Sequence, residues 1–252
     1  MTAEPVSVVA PPLPRPHLLR QSWCDVAFLH WAVAPDAVTA FLPPGVRPDV
    51  FDGRTYVGLV PFRMVGTGFA TGPAVPWAGT FLETNVRLYS VDATGRRGVV
   101  FLSLDADRAL AVAAARAGFG LPYRWSRMGF AADGPQRRYT AQVRSTSVAS
   151  RVAVRVGGRA PDGPLERFLT ARWGLHVGRS GRTRFLPNSH VPWPLRTAEV
   201  LELDDGLVAA AGFGDLARRP PDHVVFSEGV TARFGRPVDA TRPRPGTVGG
   251  PS

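Results

Sequence analysis

The chain has 252 residues, of which 44% are hydrophobic and 20% are charged, a composition typical of a globular protein. All 30 basic residues are arginine and none is lysine, and the formal net charge is +10. Because no side-chain amine is available, enzymes that form a lysine Schiff base are excluded, as is the P-loop nucleotide site with its lysine.

The arginines are scattered along the chain, and no recognition helix or zinc-finger spacing accompanies them. We therefore expect no specific nucleic-acid partner, although a basic protein binds polyanions non-specifically at low salt. No apolar run approaches the ~20 residues that span a bilayer, so we expect no membrane segment. The single cysteine, Cys24, excludes an intramolecular disulfide and suits a reducing compartment, for which we expect the cytoplasm.

The ends of the chain differ in composition from its middle. We predict an extended lead-in over residues 1–16, a single domain over residues 17–235 and a disordered tail over residues 236–252. Three helices are predicted, at Pro35–Phe41, Asp107–Gly118 and Leu165–Trp173. Alternating or β-rich runs predict strands, in chain order, at Trp23–Val33, Thr55–Val65, Phe81–Val91, Gly98–Leu104, Trp125–Ala131, Arg138–Val148, Arg151–Val156, Arg182–Leu186, Ala198–Leu203, Leu207–Phe213 and His223–Ser227. So many short strands indicate a mostly β fold, a barrel or a sandwich, with a few packed helices.

Two polar side chains lie within apolar strands. His30 is flanked by V-A-F-L and W-A-V, where a single histidine is more often a hydrogen-bonded core residue than a ligand. Arg63 lies in Y-V-G-L-V-P-F-R-M-V, a run that predicts a strand buried on both faces. Because a buried guanidinium needs an anion, Arg63 either pairs with Glu83, binds a substrate carboxylate, or reaches water at the strand end.

The strand from Phe81 to Tyr89 carries the most polar candidates. Strand alternation places Glu83, Asn85 and Arg87 on one face, together with the two aromatic ends of the segment. A polar face in water is the usual arrangement for such a strand. The alternative is a face directed into a cavity, and the aromatic residues on that face favour it.

Metal and cofactor signals are weak. The histidines lack the spacing of metal ligands, so we expect no metal site and no cofactor. The segment Ser103-x-Asp105-x-Asp107 joins a strand to a helix, where capping of the helix is a simpler explanation than a Mg²⁺ site. His190 lies in the proline-braced segment N-S-H-V-P-W-P-L, which fits a pocket rim or an ordinary loop.

Several blocks together resemble a known family. They are W-x-D-x-x-F-x-H-W with P-D-A…L-P-P-G (Trp23–Gly45), F-D-G-R-x-Y-V-G-L-V-P-F-R-M (Phe51–Met64), L-E-T-N-V-R-L-Y with F-L-S-L-D-A-D (Leu82–Asp107), G-L-P-Y-R (Gly120–Arg124) and H-V-P-W-P-L (His190–Leu195). Over roughly residues 20–235 the chain resembles the YqjF-like family of uncharacterised proteins. That family is similar in fold to acetoacetate decarboxylase, which implies a mostly antiparallel β-barrel around a central pocket.

The resemblance also shows where this chain departs from the decarboxylase. Glu83 matches a pocket glutamate of that enzyme, and Leu104-Asp105 matches the end of the strand before its helix. After Leu121-Pro122, where the imine-forming lysine is expected, this chain has Tyr123. The resemblance therefore implies the barrel and the pocket without the imine chemistry.

These observations lead to one principal hypothesis. The protein binds a small acidic or carbonyl-bearing molecule, with Arg63 or Arg87 holding the acid, Glu83 as acid or base, and Tyr123 donating to a carbonyl or enolate oxygen. The remaining candidates for substrate binding are His30, Asn85, His190 and Trp193. If the protein is an enzyme, a lyase, isomerase or cyclase fits these groups, and acetoacetate decarboxylation does not.

Two alternatives remain open at this stage. The pocket could serve a non-catalytic carrier or sensor, or it could be vestigial in a protein-interaction module in which Arg63 and Glu83 pair with each other. A homo-oligomer is compatible with the sequence, which does not give the oligomeric state.

Overall fold

The computed structural model describes residues 2–13, 15–69, 72–73 and 79–242. Its helices are α1 (Asp36–Thr39), α2 (Ala109–Phe119), α3 (Pro164–Thr170) and α4 (Leu207–Ala210), with a 3₁₀ turn at Leu216–Arg218. Its strands are β1 (Leu19–Val33), β2 (Val46–Pro48), β3 (Thr55–Phe69), β4 (Phe81–Asp92), β5 (Arg97–Ala106), β6 (Tyr123–Asp133), β7 (Gln136–Val143), β8 (Ala149–Arg159), β9 (Gly174–Arg179), β10 (Arg182–Ser189), β11 (Leu195–Asp205), β12 (His223–Phe234) and β13 (Val238–Asp239). The prediction of a mostly β fold with a few helices is confirmed.

The strands form one sheet of 13 members in the order β13-β10-β9-β5-β6-β7-β8-β11-β12-β1-β3-β4-β2. Further pairings of β5 with β4 and of β10 with β12 join strands that are distant in this order, and they make the sheet ring-like. Among the described strands all pairs are antiparallel except β5–β6 and β5–β9. Parallel pairing of β5 and β6 needs a crossover connection, which α2 supplies.

Strands β1, β3 and β4 are covered on both faces. In β1, Ala27, Leu29 and Trp31 belong to a core cluster shared with β7 and β8, while Val26 and Phe28 belong to a second cluster on the other face. Because alternate residues of a strand point to opposite faces, a strand buried on both faces reads as a continuous apolar run. This arrangement explains the unbroken apolar segments of β1 and β3.

A bulge in β1 changes the direction of one side chain. Asp25 has a φ of 48°, and the register of β1 against β3 shifts by one residue between Cys24 and Leu29. Gly229 lies close by on β12 with a φ of 131°, and a Cβ atom there would meet the carbonyl oxygen of Trp23 at 1.9 Å, so only glycine fits. The bulge directs the Asp25 carboxylate to Arg63 and Arg137, which both donate to it.

Some secondary-structure elements were predicted wrongly from the sequence, and others were missed. Leu207–Phe213 was predicted as a strand, but it begins with helix α4, because a short apolar run does not distinguish a buried strand from a buried helical turn. Strands β2, β9 and β13 were not predicted. The predicted tail is structured at its start, since Val238–Asp239 pairs with β10 and Ala240 is buried. Residues 243–252 of that tail lie outside the described residues.

No helix within the described ranges combines the length and the apolar character needed to cross a membrane.

Candidate functional site

A cavity of about 670 Å³ lies on one side of the wall formed by β1, β3 and β4. Helix α2 contributes Leu110, Ala111, Ala114 and Ala115 to the opposite wall. Most of the lining is apolar, with Phe62, Met64, Phe81, Phe101, Leu104 and Leu121 among its members. A small number of polar groups in a mostly apolar cavity of this size is typical of sites that bind small molecules.

The Glu83 carboxyl and the Tyr123 hydroxyl form a buried pair at the cavity wall. Tyr123 donates to Glu83 Oε2 over 2.7 Å, and both residues line the cavity. Burial raises the pKa of Glu83 to about 7, although hydrogen bonds from Tyr123 and Asn85 oppose the shift. Burial and the neighbouring Glu83 charge raise the pKa of Tyr123 well above 10, so this hydroxyl stays protonated. A carboxyl group with a pKa near neutrality is suited to both accept and release a proton.

The polar face of β4 is directed into the cavity and not into bulk water, which were the two interpretations of its sequence. Glu83, Asn85 and Arg87 line the cavity, with Phe81 at the start of the same face. Tyr89 follows on this face and is fully buried behind Arg87. The alternation of the sequence therefore identified the side chains that share the cavity face.

Arg87 is held at one end of this face by neutral groups. Its Nη2 donates to the hydroxyl of Tyr89 over 3.0 Å and to the carbonyl of Leu169 over 3.3 Å. His30 lies behind them, with its Nε2 at 2.7 Å from the Tyr89 hydroxyl, and it does not line the cavity. Burial, followed by the charge of Arg87, lowers the pKa of His30 well below 6.5, so the imidazole is neutral. His30 is thus a hydrogen-bonded core residue that supports Tyr89.

Arg63 lies on the wrong face of β3 for the role predicted from the sequence. Phe62 and Met64 line the cavity, and Arg63 between them points to the other side of the strand. Its guanidinium pairs with Asp25 at 2.8 Å and lies 5.0 Å from the centre of the Phe130 ring. Of the alternatives left open for Arg63, the pair with Glu83 is not found, and the position of Arg63 does not support the binding of a substrate in the cavity.

His190 and Trp193 belong to an aromatic wall of the cavity. The Trp23 and Trp193 rings stack with centroids 5.8 Å apart, and the His190 ring meets the Trp193 ring edge-on at 5.1 Å. His190 Nδ1 lies 2.6 Å from the carbonyl oxygen of Val191. Burial lowers the pKa of His190 to about 4, so this wall is uncharged at neutral pH.

Arg172 is a cavity residue that the sequence analysis missed. The segment Leu165–Trp173 was predicted as one helix, but α3 ends at Thr170, and the following residues carry Arg172 to the cavity. Its Nε donates to the carbonyl of Phe168 over 2.7 Å, and its Nη1 donates to Asp49. The sequence carried one signal for this arginine, since it falls at helical spacing from the apolar residues Leu165, Phe168 and Leu169, but the contacts that bury it come from distant segments.

Unpaired polar atoms are concentrated at this cavity. Twelve buried side-chain polar atoms lack a hydrogen-bond partner among the described residues, and six of them belong to residues that line the cavity. These six are Trp23 Nε1, Thr67 Oγ1, Asn85 Oδ1, Arg87 Nε, Arg172 Nη2 and Asn188 Oδ1. Because buried polar groups in proteins are nearly always paired, the cavity offers hydrogen-bonding positions to a ligand or to water.

The two aspartates before α2, Asp105 and Asp107, accept hydrogen bonds from residues of the sheet. Asp105 is fully buried and accepts two hydrogen bonds from Arg124 and one from Ser126. Asp107 accepts from the backbone N–H of Leu82, and the N-terminus of α2 has no side-chain cap, so the predicted capping role is wrong. Among the residues that the structure describes, no group of three His, Cys, Asp or Glu side chains is placed to hold a metal.

Comparison with known proteins places this chain in a family. Residues 20–231 match the model of DUF2071, described as an uncharacterised conserved protein. The chain belongs to the DUF2071 family. A curated relative, the uncharacterised protein YqjF of Bacillus subtilis strain 168, is 32% identical over 186 residues, which are 72% of this chain and 76% of the relative. The resemblance stated from the sequence is thereby confirmed.

Solved structures with the same fold include acetoacetate decarboxylase-like enzymes. The one from Sphingomonas wittichii RW1 has a TM-score of 0.63 at 12% identity and covers 88% of this chain and 94% of its own. Acetoacetate decarboxylase from Legionella pneumophila has a TM-score of 0.61 at 13% identity and covers 91% of each chain. The enduracididine biosynthesis enzyme MppR has a TM-score of 0.56 at 18% identity, covering 94% of this chain and 91% of its own. These similarities confirm the acetoacetate decarboxylase-like fold of this DUF2071 protein.

Proposed function

We propose that this protein binds a small organic acid that carries a carbonyl group and transfers a proton on it by means of Glu83 and Tyr123. The observation that carries this proposal is the buried Glu83 carboxyl on the cavity wall, with the Tyr123 hydroxyl 2.7 Å away. Arg87, on the same face of β4, is the residue proposed to hold the carboxylate of the substrate.

The proposed step is removal of a proton from the carbon next to the carbonyl group. The ionised Glu83 accepts the proton, the C–H electron pair forms a carbon–carbon double bond, and the carbonyl oxygen becomes an enolate. Tyr123 has a single O–H, so when it turns from Glu83 to the developing oxyanion it stabilises the enolate and leaves Glu83 a stronger base. Return of the proton from Glu83 to carbon completes an isomerisation or an exchange.

The composition sets the chemistry apart from that of a lysine-dependent decarboxylase. With no lysine in the chain, no side-chain imine can act as the electron sink, so the enolate must be stabilised by hydrogen bonds. The choice of a carbonyl acid is supported by MppR, which has been solved with pyruvate and with a condensation product of pyruvate and imidazole 4-carboxaldehyde. The reducing cytoplasm is the compartment that we propose, as the single cysteine suggested.

The experiment is a hydrogen–deuterium exchange assay on 2-oxo acids. The protein is incubated in D₂O with pyruvate or a longer 2-oxo acid, and loss of the proton signal next to the carbonyl is followed by NMR. General acid–base catalysis contributes roughly 10²–10⁴-fold, so we expect Glu83→Gln to slow the exchange by at least about 100-fold. Arg63→Ala is the matched control and keeps the wild-type rate, because Arg63 lies outside the cavity.

Two results would contradict the proposal. An exchange rate that is the same in wild type and in Glu83→Gln would remove Glu83 from the chemistry. Tight binding of an acid that is recovered without any exchange would favour the carrier or sensor instead.

A further inference from the structure

We infer that the ligand of this cavity is a dicarboxylic acid, with Arg87 holding one carboxylate and Arg172 the other. The inference rests on the proposed function, since it names the substrate class of the same cavity.

The guanidinium of Arg172 is fixed in place and has one nitrogen left over. Arg172 is only 6% exposed. Its Cζ atom lies 4.2 Å from the centre of the Phe168 ring and 4.9 Å from the centre of the Tyr89 ring. Nε donates to the Phe168 carbonyl and Nη1 to Asp49, whereas Nη2 is buried without a partner. A rigid guanidinium with an unused donor nitrogen on a cavity wall is suited to an anionic oxygen.

Asp49 does not cancel the charge of Arg172. The same carboxylate also accepts a hydrogen bond from Arg97 through its other oxygen. Two guanidinium groups and one carboxylate therefore leave one positive charge in this cluster. Since Arg172 is the member that lines the cavity, part of this excess charge is presented to the ligand.

Arg87 adds a second unmatched positive charge. Within the described part of the chain it forms no ion pair, and Nη2 is bonded to the neutral Tyr89 hydroxyl and the Leu169 carbonyl. Its Cζ lies 5.5 Å from the centre of the Tyr89 ring, so Arg87 and Arg172 contact the same aromatic side chain. His30 behind them is neutral, and burial raises the pKa of Glu83 to about 7, so Glu83 is mostly protonated at pH 6.

Two positive charges in a largely apolar cavity are costly without counter-charges. At pH 6, where Glu83 is mostly protonated, a single carboxylate would neutralise one guanidinium and leave the other unmatched. A carbonyl or hydroxyl oxygen could accept a hydrogen bond from Arg172 Nη2, but it would leave the charge in place. A ligand with two carboxylates meets both requirements.

The test compares dicarboxylates with monocarboxylates of the same chain length at pH 6, by isothermal titration calorimetry. The pairs are succinate with butyrate, glutarate with valerate, adipate with hexanoate, and 2-oxoglutarate with 2-oxovalerate. We expect the wild type to bind at least one diacid at least tenfold more tightly than its monoacid, a difference of about 1.4 kcal/mol. This comparison needs no variant and stands even if a variant fails to fold.

Two variants then assign the preference to Arg172. Arg172→Gln is expected to bind diacid and monoacid equally, with the monoacid affinity of the wild type retained. Arg97→Gln is the matched charge control, because it removes the same positive charge from the Asp49 cluster and leaves the cavity donor of Arg172 intact. Because Asp49 then balances the charge of Arg172, we expect Arg97→Gln to reduce the diacid preference, but by less than Arg172→Gln, which also removes the donor nitrogen.

The outcomes separate the two proposals. Equal binding of diacids and monoacids by the wild type overturns the diacid inference, while the binding of acids by Arg87 stands. Equal loss of the preference in Arg97→Gln and Arg172→Gln overturns the direct contact by Arg172. If no carboxylate of either kind binds, both the inference and the proposed function fail.

Discussion

Replacement of Glu83 by Gln is expected to change how the stability of the protein depends on pH. The carboxyl of Glu83 is buried and its pKa is raised from 4.5 to about 7 in the folded protein. In the unfolded chain it titrates near its ordinary value. Glutamine keeps the size of the side chain and an oxygen that can accept from Tyr123, but it does not ionise.

The direction follows from proton binding. Below pH 4.5 Glu83 is protonated in both states, and its contribution to stability is fully present. As the pH rises toward 7, the unfolded state loses this proton before the folded state does, so the free energy of unfolding falls by about 1.4 kcal/mol per pH unit. Between pH 4.5 and 7 the wild type thus loses about 3 kcal/mol, and above pH 7 the loss is complete.

Urea denaturation of wild type and Glu83→Gln from pH 5 to pH 8 measures this effect. Other titrating groups are common to both proteins, so they cancel in the difference between the two free energies of unfolding. We expect that difference to shift in favour of the variant by about 2.5 kcal/mol over this range. In Tyr123→Phe, which removes a hydrogen bond from the ionised carboxyl, the decline should extend above pH 7. A difference between wild type and Glu83→Gln that does not change with pH would refute the raised pKa and, with it, the acid–base role of Glu83.

Three further substitutions test the placement of individual side chains. Arg63→Ala should cost less than about 1 kcal/mol in urea denaturation, because its pair with Asp25 is 40% exposed on the arginine side, and calorimetry should show unchanged acid binding. Asp105→Asn should lower the free energy of unfolding by about 3 kcal/mol, since it leaves Arg124 without its buried partner; a loss below 1 kcal/mol would contradict this. Ala114→Trp, on the cavity side of α2, should weaken acid binding at least tenfold while the melting temperature stays within a few degrees of wild type; unchanged affinity would mean that α2 does not bound the ligand.

Much of the fold was predictable because strands leave a local signature. The apolar run of β3 predicted a strand buried on both faces, and the structure shows core clusters on both sides of it. Short apolar segments were less informative. The seven residues of Leu207–Phe213 fit a buried strand or a buried helical turn equally well, and the structure has helix α4 at their start. Strand β9 has little alternation, and it is fixed by pairing with β5 and β10 rather than by its own residues.

The sequence alone shows that the chain has no lysine, and therefore that none of its side chains can form an imine with a substrate. It also determined which side chains of β4 share a face, because alternation is a property of the backbone. Only the tertiary structure decided which arginines reach the cavity. The Asp25 bulge and the face of β3 take Arg63 away from the cavity, while the closure of the ring-like sheet brings Arg172 from beyond α3 to the same ring of Tyr89 that Arg87 contacts. The physical reason is that the direction of a side chain relative to its own strand is local, whereas what lies opposite it depends on pairings between segments far apart in the chain.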